Sequence, residues 1–150
     1  MYSMVIALVP AENDSELPLL TRAQLLLDPY LHSDDCDHGD DNEVRYVEDS
    51  NGNLFLRGCH WDSATVSADQ AFRGCLWLDR YGRVPPDLPF ADPEDQPRLA
   101  ADVELRNGHY VPDAIVTPSG DAIRPASLAL AEDLIAEHAN CVAVPFACHS

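Results

Sequence analysis

The chain has no lysine: all nine of its basic residues are arginine, set against 26 Asp and Glu. That scarcity excludes a general phosphate-binding surface, because gripping nucleic acid requires clustered cations that release counterions. It also argues against an anionic membrane surface as partner. Long apolar runs are missing as well. No stretch approaches the roughly 20 apolar residues of a membrane span. The first apolar run, Met4 to Val9, is too short for a signal-peptide core and has no basic residue ahead of it. The sequence contains no G-x-S-x-G, no Walker-type loop, no G-x-G-x-x-G, no H-E-x-x-H and no C-x-x-C. An odd count of five cysteines without a signal peptide predicts reduced thiols in a cytoplasm and not a disulfide framework.

What is present suits one domain over 1–150. The 150 residues are 46% hydrophobic, enough for a core, and carry a formal charge of −17. Ala, Asp, Pro and Arg are heavily used, as a GC-rich coding sequence would give, so part of the acidity reflects source composition. A halophilic source would produce the same imbalance.

Met4-Val5-Ile6-Ala7-Leu8-Val9, ended by Pro10, reads as a buried central strand with two apolar faces. Thr21 and Gln24 have capping-box spacing, and Leu20 and Leu25 sit where a hydrophobic staple would close, so a helix is predicted through Leu27, stopping before Pro29. Residues 28–49 hold nine acids and a single arginine, Arg45. Their first part, His32 to Asn42, lacks hydrophobic periodicity and predicts a solvated loop. Glu43–Val47 and Leu54–Leu56 flank Asn51-Gly52, a hairpin signal, with Ser50 and Asn53 leaving room for a four-residue loop. A short helix over Ser67–Arg73 and a strand over Cys75–Leu78 with a turn at Asp79–Gly82 are weaker expectations. Val84 to Pro97 carries five of the twelve prolines, which exclude regular sheet and helix.

Val103–Arg106 alternates, turns at Asn107-Gly108 and resumes at Tyr110-Val111. Ala114–Val116 and Ala122-Ile123 flank the turn sequence Thr117-Pro118-Ser119-Gly120-Asp121. Ser127 caps a second helix whose apolar stripe is Leu130, Ala131, Leu134, Ile135 and His138. Cys141–Ala147 forms a closing strand in which Pro145 predicts a bulge or an edge. The order β-α-β-β, an irregular middle, then β-β-β-α-β predicts an α+β fold. The expected architecture is a mostly antiparallel sheet with two helices on one face and a long proline-rich surface loop at about 84–98.

Three groups of residues invite a chemical reading. In the acidic segment, Gly39 taken as the sixth position of a calcium loop puts Asp34, Cys36, His38 and Arg45 at the first, third, fifth and twelfth, and most of these fail as oxygen ligands. Cys36 with His38, Cys59-His60 and Cys148-His149 offer thiolate and imidazole, the natural ligands of zinc, though in no zinc-finger spacing. Adjacent residues on a strand also point to opposite faces, which works against a doublet sharing one metal. Cys59-His60-Trp61-Asp62 contains the side-chain types of a catalytic triad, but triads are assembled in space and not in sequence. The third group is the acid distribution itself. Carboxylates on a rigid surface can imitate the charge ladder of duplex DNA and compete for basic clefts. Asp34, Asp35, Asp37, Asp40, Asp41, Glu43, Glu48 and Asp49 are the candidate partner-binding residues, with Asp87, Asp92, Glu94 and Asp95 as a second acidic group.

The chain has an apolar strand at the N-terminus, Leu27-Asp28-Pro29-Tyr30 leading into acids, Ala114–Asp121 before a late helix, and a terminal strand closing on Cys148-His149. In these segments it resembles a group of small acidic proteins encoded by phages of GC-rich bacteria. These segments cover about a third of the chain, and residues 58–112 lack the group's Gly-Gly-Arg-Trp element. The resemblance implies a phage or mobile-element origin and no particular chemistry. The expected protein is a non-enzymatic, acidic, DNA-mimic-like inhibitor with no cofactor, acting in the host cytoplasm on a basic host-protein surface such as a defence complex. A zinc-binding domain or metal-dependent enzyme using the Cys/His pairs is one alternative. A phage accessory protein whose charge only keeps it soluble is another.

Overall fold

The computed structural model describes residues 2–11, 16–32, 45–66, 77–79, 98–100, 103–105 and 111–150. Its strands are β1 (Tyr2–Pro10), β2 (Tyr46–Glu48), β3 (Leu54–Leu56), β4 (Ser63–Val66), β5 (Trp77–Asp79), β6 (Arg98–Leu99), β7 (Val103–Leu105), β8 (Ala114–Val116), β9 (Ala122–Arg124) and β10 (Cys141–His149). The helices are α1 (Leu19–Leu27), which runs into a 3₁₀ turn over Asp28–Tyr30, and α2 (Leu128–Glu137). Eight strands form one sheet in the order β2-β3-β9-β8-β1-β10-β4, with β6 also paired to β10, while β5 and β7 pair separately. Only β1 and β8 run parallel; every other pairing among the described strands is antiparallel. The α+β, mostly antiparallel expectation holds.

The two helices do not share a face, and this corrects the sequence expectation. Val5, Ala7 and Val9 of β1 pack in one layer with Ala23 and Leu27 of α1. Met4, Ile6 and Leu8 pack in the other with Ala131 and Ile135 of α2. The reason is in β1 itself. A strand that is apolar at consecutive positions presents two hydrophobic faces, and each must be covered.

α1 starts at Leu19 with Pro18 as its N-cap and no side-chain cap, so Thr21 and Gln24 lie inside the helix and form no capping box. Gln24 Nε2 instead donates to Asp28 Oδ1 at 3.4 Å, and Leu25 faces solvent. Pro18 fits this place because the amide it lacks would have had no helical partner. α2 begins as expected: the Ser127 hydroxyl accepts from the Leu130 amide at 3.2 Å.

Two of the expected hairpins form, and with the same turn. In the first, Gly52 N–H donates to Asp49 O (3.2 Å) and Asp49 N–H to Asn53 O (2.9 Å). In the second, Gly120 N–H donates to Thr117 O (2.9 Å) and Thr117 N–H to Asp121 O (2.9 Å). Each closes a three-residue loop ending in a left-handed glycine, φ +86° at Gly52 and +94° at Gly120. The first loop is thus one residue shorter than the four-residue alternative. β7 pairs with β5 and Val111 lies outside any strand, while the expected turn at Asn107-Gly108 and Tyr110 lie outside the described residues. Pro145 makes no bulge, and among the described residues it sits at a local unpaired stretch on one flank of β10. The β1–β10 register runs unbroken from Tyr2↔His149 to Pro10↔Cys141. On the other flank of β10, β6 covers Val142 and Ala143 and β4 covers Phe146 to His149. Among the described residues no strand bonds β10 there at Val144 and Pro145, and a proline needs no partner amide at such a gap. The proline-rich loop at 84–98 lies outside the described residues up to Pro97, as do the Ser67–Arg73 helix and Cys75.

Candidate functional site

The 3₁₀ turn after α1 delivers Tyr30 into the α1-side layer, where its ring meets Trp61 edge-on at 6.3 Å. The phenol donates to Gly120 O (2.5 Å) and accepts from the Ala122 amide (3.1 Å). Burial holds its pKa above the ordinary tyrosine value, the Ala122 hydrogen bond works against that rise, and the nearby Asp121 charge adds to it. The Tyr30 carbonyl accepts from the amides of His60 (2.7 Å) and Trp61 (3.1 Å), and His32 N–H donates to Trp61 O (2.7 Å). The chain therefore enters the acidic segment from a fixed point.

It returns to the same place. Arg45 O accepts from Arg57 N–H at 2.7 Å, and the His60 ring Nε2 lies 3.2 Å from Arg45 O and 3.0 Å from Arg57 O. Two carbonyl neighbours require that nitrogen to carry the proton, since a carbonyl only accepts. Burial is the main cause holding the His60 pKa below its ordinary value; the two carbonyl hydrogen bonds act against that shift, and the charges of Arg124 and Arg45 reinforce it. His32 and Arg45, which flank Asp34, Asp35, Asp37, Asp40, Asp41 and Glu43 in the sequence, are thus both bonded to the stretch 57–62.

Beside this base, Asp62 sits between two imidazoles. Its Oδ1 is 3.9 Å from His32 Nε2 and its Oδ2 is 3.6 Å from His149 Nδ1. The Asp62 amide donates to His149 O at 2.6 Å, which fixes β4 to the end of β10. A carboxylate so placed can orient either ring and pair with it once protonated. Cys148 is buried, its thiol pushed up to about 12 mainly by desolvation and secondarily by the Asp113 charge, so at neutral pH it is not a thiolate.

The candidate residues from the sequence separate here. Asp34, Asp35, Cys36, Asp37, His38, Asp40, Asp41 and Glu43 lie outside the described residues, as does the second acidic group. Glu48 closes β2 and is exposed. Asp49 Oδ1 accepts from the amides of Asn51 and Asn53, both at 2.9 Å, so its carboxylate shapes the hairpin turn. Cys59 is disulfide-bonded. This overturns the expectation that every cysteine is a thiol, and a sulfur in that bond is no zinc thiolate. Cys148 and His149 take opposite sides of β10: the thiol is in the core, the imidazole beside Asp62. Among the described residues no three His, Cys, Asp or Glu side chains are grouped to hold a metal ion.

Sequence reasoning missed Tyr30, His32 and Asp62 as a constellation. They are separated along the chain by gaps that fit no motif, and only the parallel bridge between Leu31 and Trp61 brings them together. A shallow cavity of about 370 Å³ at the far end of β1, lined by Pro10, Ala11, Leu99, Ala139, Asn140 and Cys141, holds no charged side chain among those residues. Among the described residues no helix is long and apolar enough to cross a membrane. No protein-family model, curated protein or solved structure matches the chain.

Proposed function

We propose that this chain is a non-enzymatic acidic binding protein, phage-encoded, that occupies a basic, nucleic-acid-handling surface of a host protein such as a defence complex. In this reading it is a DNA-mimic-like inhibitor, and the acids of 34–43 carry the contact. The observation that supports it is the base of that segment. Residues 32 and 45, which flank the acidic stretch in the sequence, are both bonded into 57–62, so the chain leaves and re-enters the described body at one place. Glu48, on the strand that leaves the segment, extends the charge along the hairpin.

The test is capture from host lysate at two ionic strengths. Binding between exposed opposite charges should weaken by roughly tenfold or more as salt rises from about 50 to 200 mM. Replacing Asp34, Asp35, Asp37, Asp40 and Asp41 with Asn should weaken it comparably at low salt while leaving the fold unchanged by circular dichroism. A partner whose affinity ignores both changes would end this reading.

A further inference from the structure

β2 is the terminal strand of the eight-stranded sheet, and among the described residues no strand lies beyond it. Its register against β3 is Tyr46↔Leu56, Val47↔Phe55 and Glu48↔Leu54. The flanking bonds, Arg57 N–H to Arg45 O and Asp49 N–H to Asn53 O, fix which residues face inward. Hydrogen-bonded and non-hydrogen-bonded pairs alternate in an antiparallel ladder. Arg45, Val47 and Asp49 therefore bond toward β3, and the N–H and C=O of both Tyr46 and Glu48 point out of the sheet. Tyr46 and Val47 are among the large apolar side chains exposed on this protein, at 47% and 42%. The edge thus offers two outward amides, two outward carbonyls and an apolar residue on each face.

We propose that this edge takes up an extended, cationic segment of a partner protein, which adds to β2 as a further strand. Charge selects the occupant. The strand emerges directly from the acidic segment, where nine carboxylates between 28 and 49 stand against one arginine, and Glu48 sits on the strand itself. A second copy of this chain would bring another Glu48 and another net charge of −17 to the same edge, so self-pairing is opposed by repulsion. An arginine- or lysine-rich strand gains attraction and backbone pairing together. Alternation of basic with β-branched residues fits best, placing one set of side chains against Tyr46 and the other against Val47. This deepens the proposed function and rests on it, because it names how part of the basic partner would dock.

The probe is a synthetic peptide alternating lysine and valine, titrated into the full chain while amide exchange is followed by NMR. The amides of Tyr46 and Glu48 should gain protection on binding, those of Val47 and Phe55 being already bonded. Tyr46→Pro removes an outward amide at an edge position that tolerates proline, and it should weaken the peptide by about tenfold, whereas Tyr46→Thr, which keeps the amide, should change it by less than about threefold. No binding, binding without protection at Tyr46 and Glu48, or equal affinity of the Pro and Thr variants each overturns edge docking. Peptide binding that is salt-sensitive yet leaves those amides unprotected would still uphold the acidic-surface reading. Conversely, the Asp→Asn variant retaining full affinity for basic partners would remove that reading whatever the edge does.

Discussion

The Tyr30 ring lies in the apolar layer beneath β1, yet both bonds of its hydroxyl go to the β8–β9 turn, 90 residues away in sequence. Tyr30→Phe keeps the ring and strands the Ala122 amide, so it should cost about 1–3 kcal/mol. For a chain of this size that lowers Tm by a few degrees, about 2–4 °C per kcal/mol, measurable by calorimetry. The pH dependence has a definite sign. The folded pKa of Tyr30 is raised above 10.0, so its contribution is intact below that value and is lost as pH rises through the folded pKa. Tyr30→Phe should remove that part of the alkaline fall in stability, read as chemical denaturation midpoints at pH 8 and above pH 10. None of this was visible in Leu27-Asp28-Pro29-Tyr30, because a tyrosine after a proline says nothing about which distant carbonyl it meets. Ser127 is the opposite case. Its partner is three residues away, and capping chemistry alone located it.

Elements follow the same division. Both hairpins were legible because their turns are local. Gly52 and Gly120 occupy the left-handed region, where a side chain costs about 1–2 kcal/mol through its own backbone. A Cβ at Gly120 would meet no atom within 4 Å, so Gly120→Ala should show that backbone cost without a clash. Urea denaturation checks this, with an unchanged m-value separating lost stability from a changed fold. The Thr21–Gln24 capping box was the wrong inference from a valid pattern. Pro18 lies three residues earlier, and it starts the helix there without a side-chain cap. Pro145 was legible only in part, since it makes no bulge but does sit at an unpaired flank. A proline in a strand needs an unpaired flank, and whether one exists depends on where β4 and β6 end.

At the scale of the whole molecule, the charge of −17 is now divisible. Of the carboxylates described, Asp49 serves a turn and Asp113 pairs with Arg124 at 3.2 Å. Asp62 stands between two imidazoles. These three have structural partners. The Cys59 bond belongs to this scale as well, because it concerns the compartment. Thiol titration of the denatured, unreduced protein should find fewer thiols than the five cysteines of the sequence. A full five would show the reduced state that a cytoplasm favours.

The sequence by itself determined what neighbouring residues decide: a two-faced apolar β1, two glycine turns, a serine cap and a local excess of acid. Spacing within a few residues carries that information, since caps, turns and strand alternation are short-range. Only the tertiary structure decided that α1 and α2 cover opposite faces and that β1 pairs parallel to β8. It also decided that Tyr30, His60 and Arg45 close the base of the acidic segment. Those contacts join residues tens of positions apart, and they are fixed by burying both faces of β1 while satisfying the amides left over.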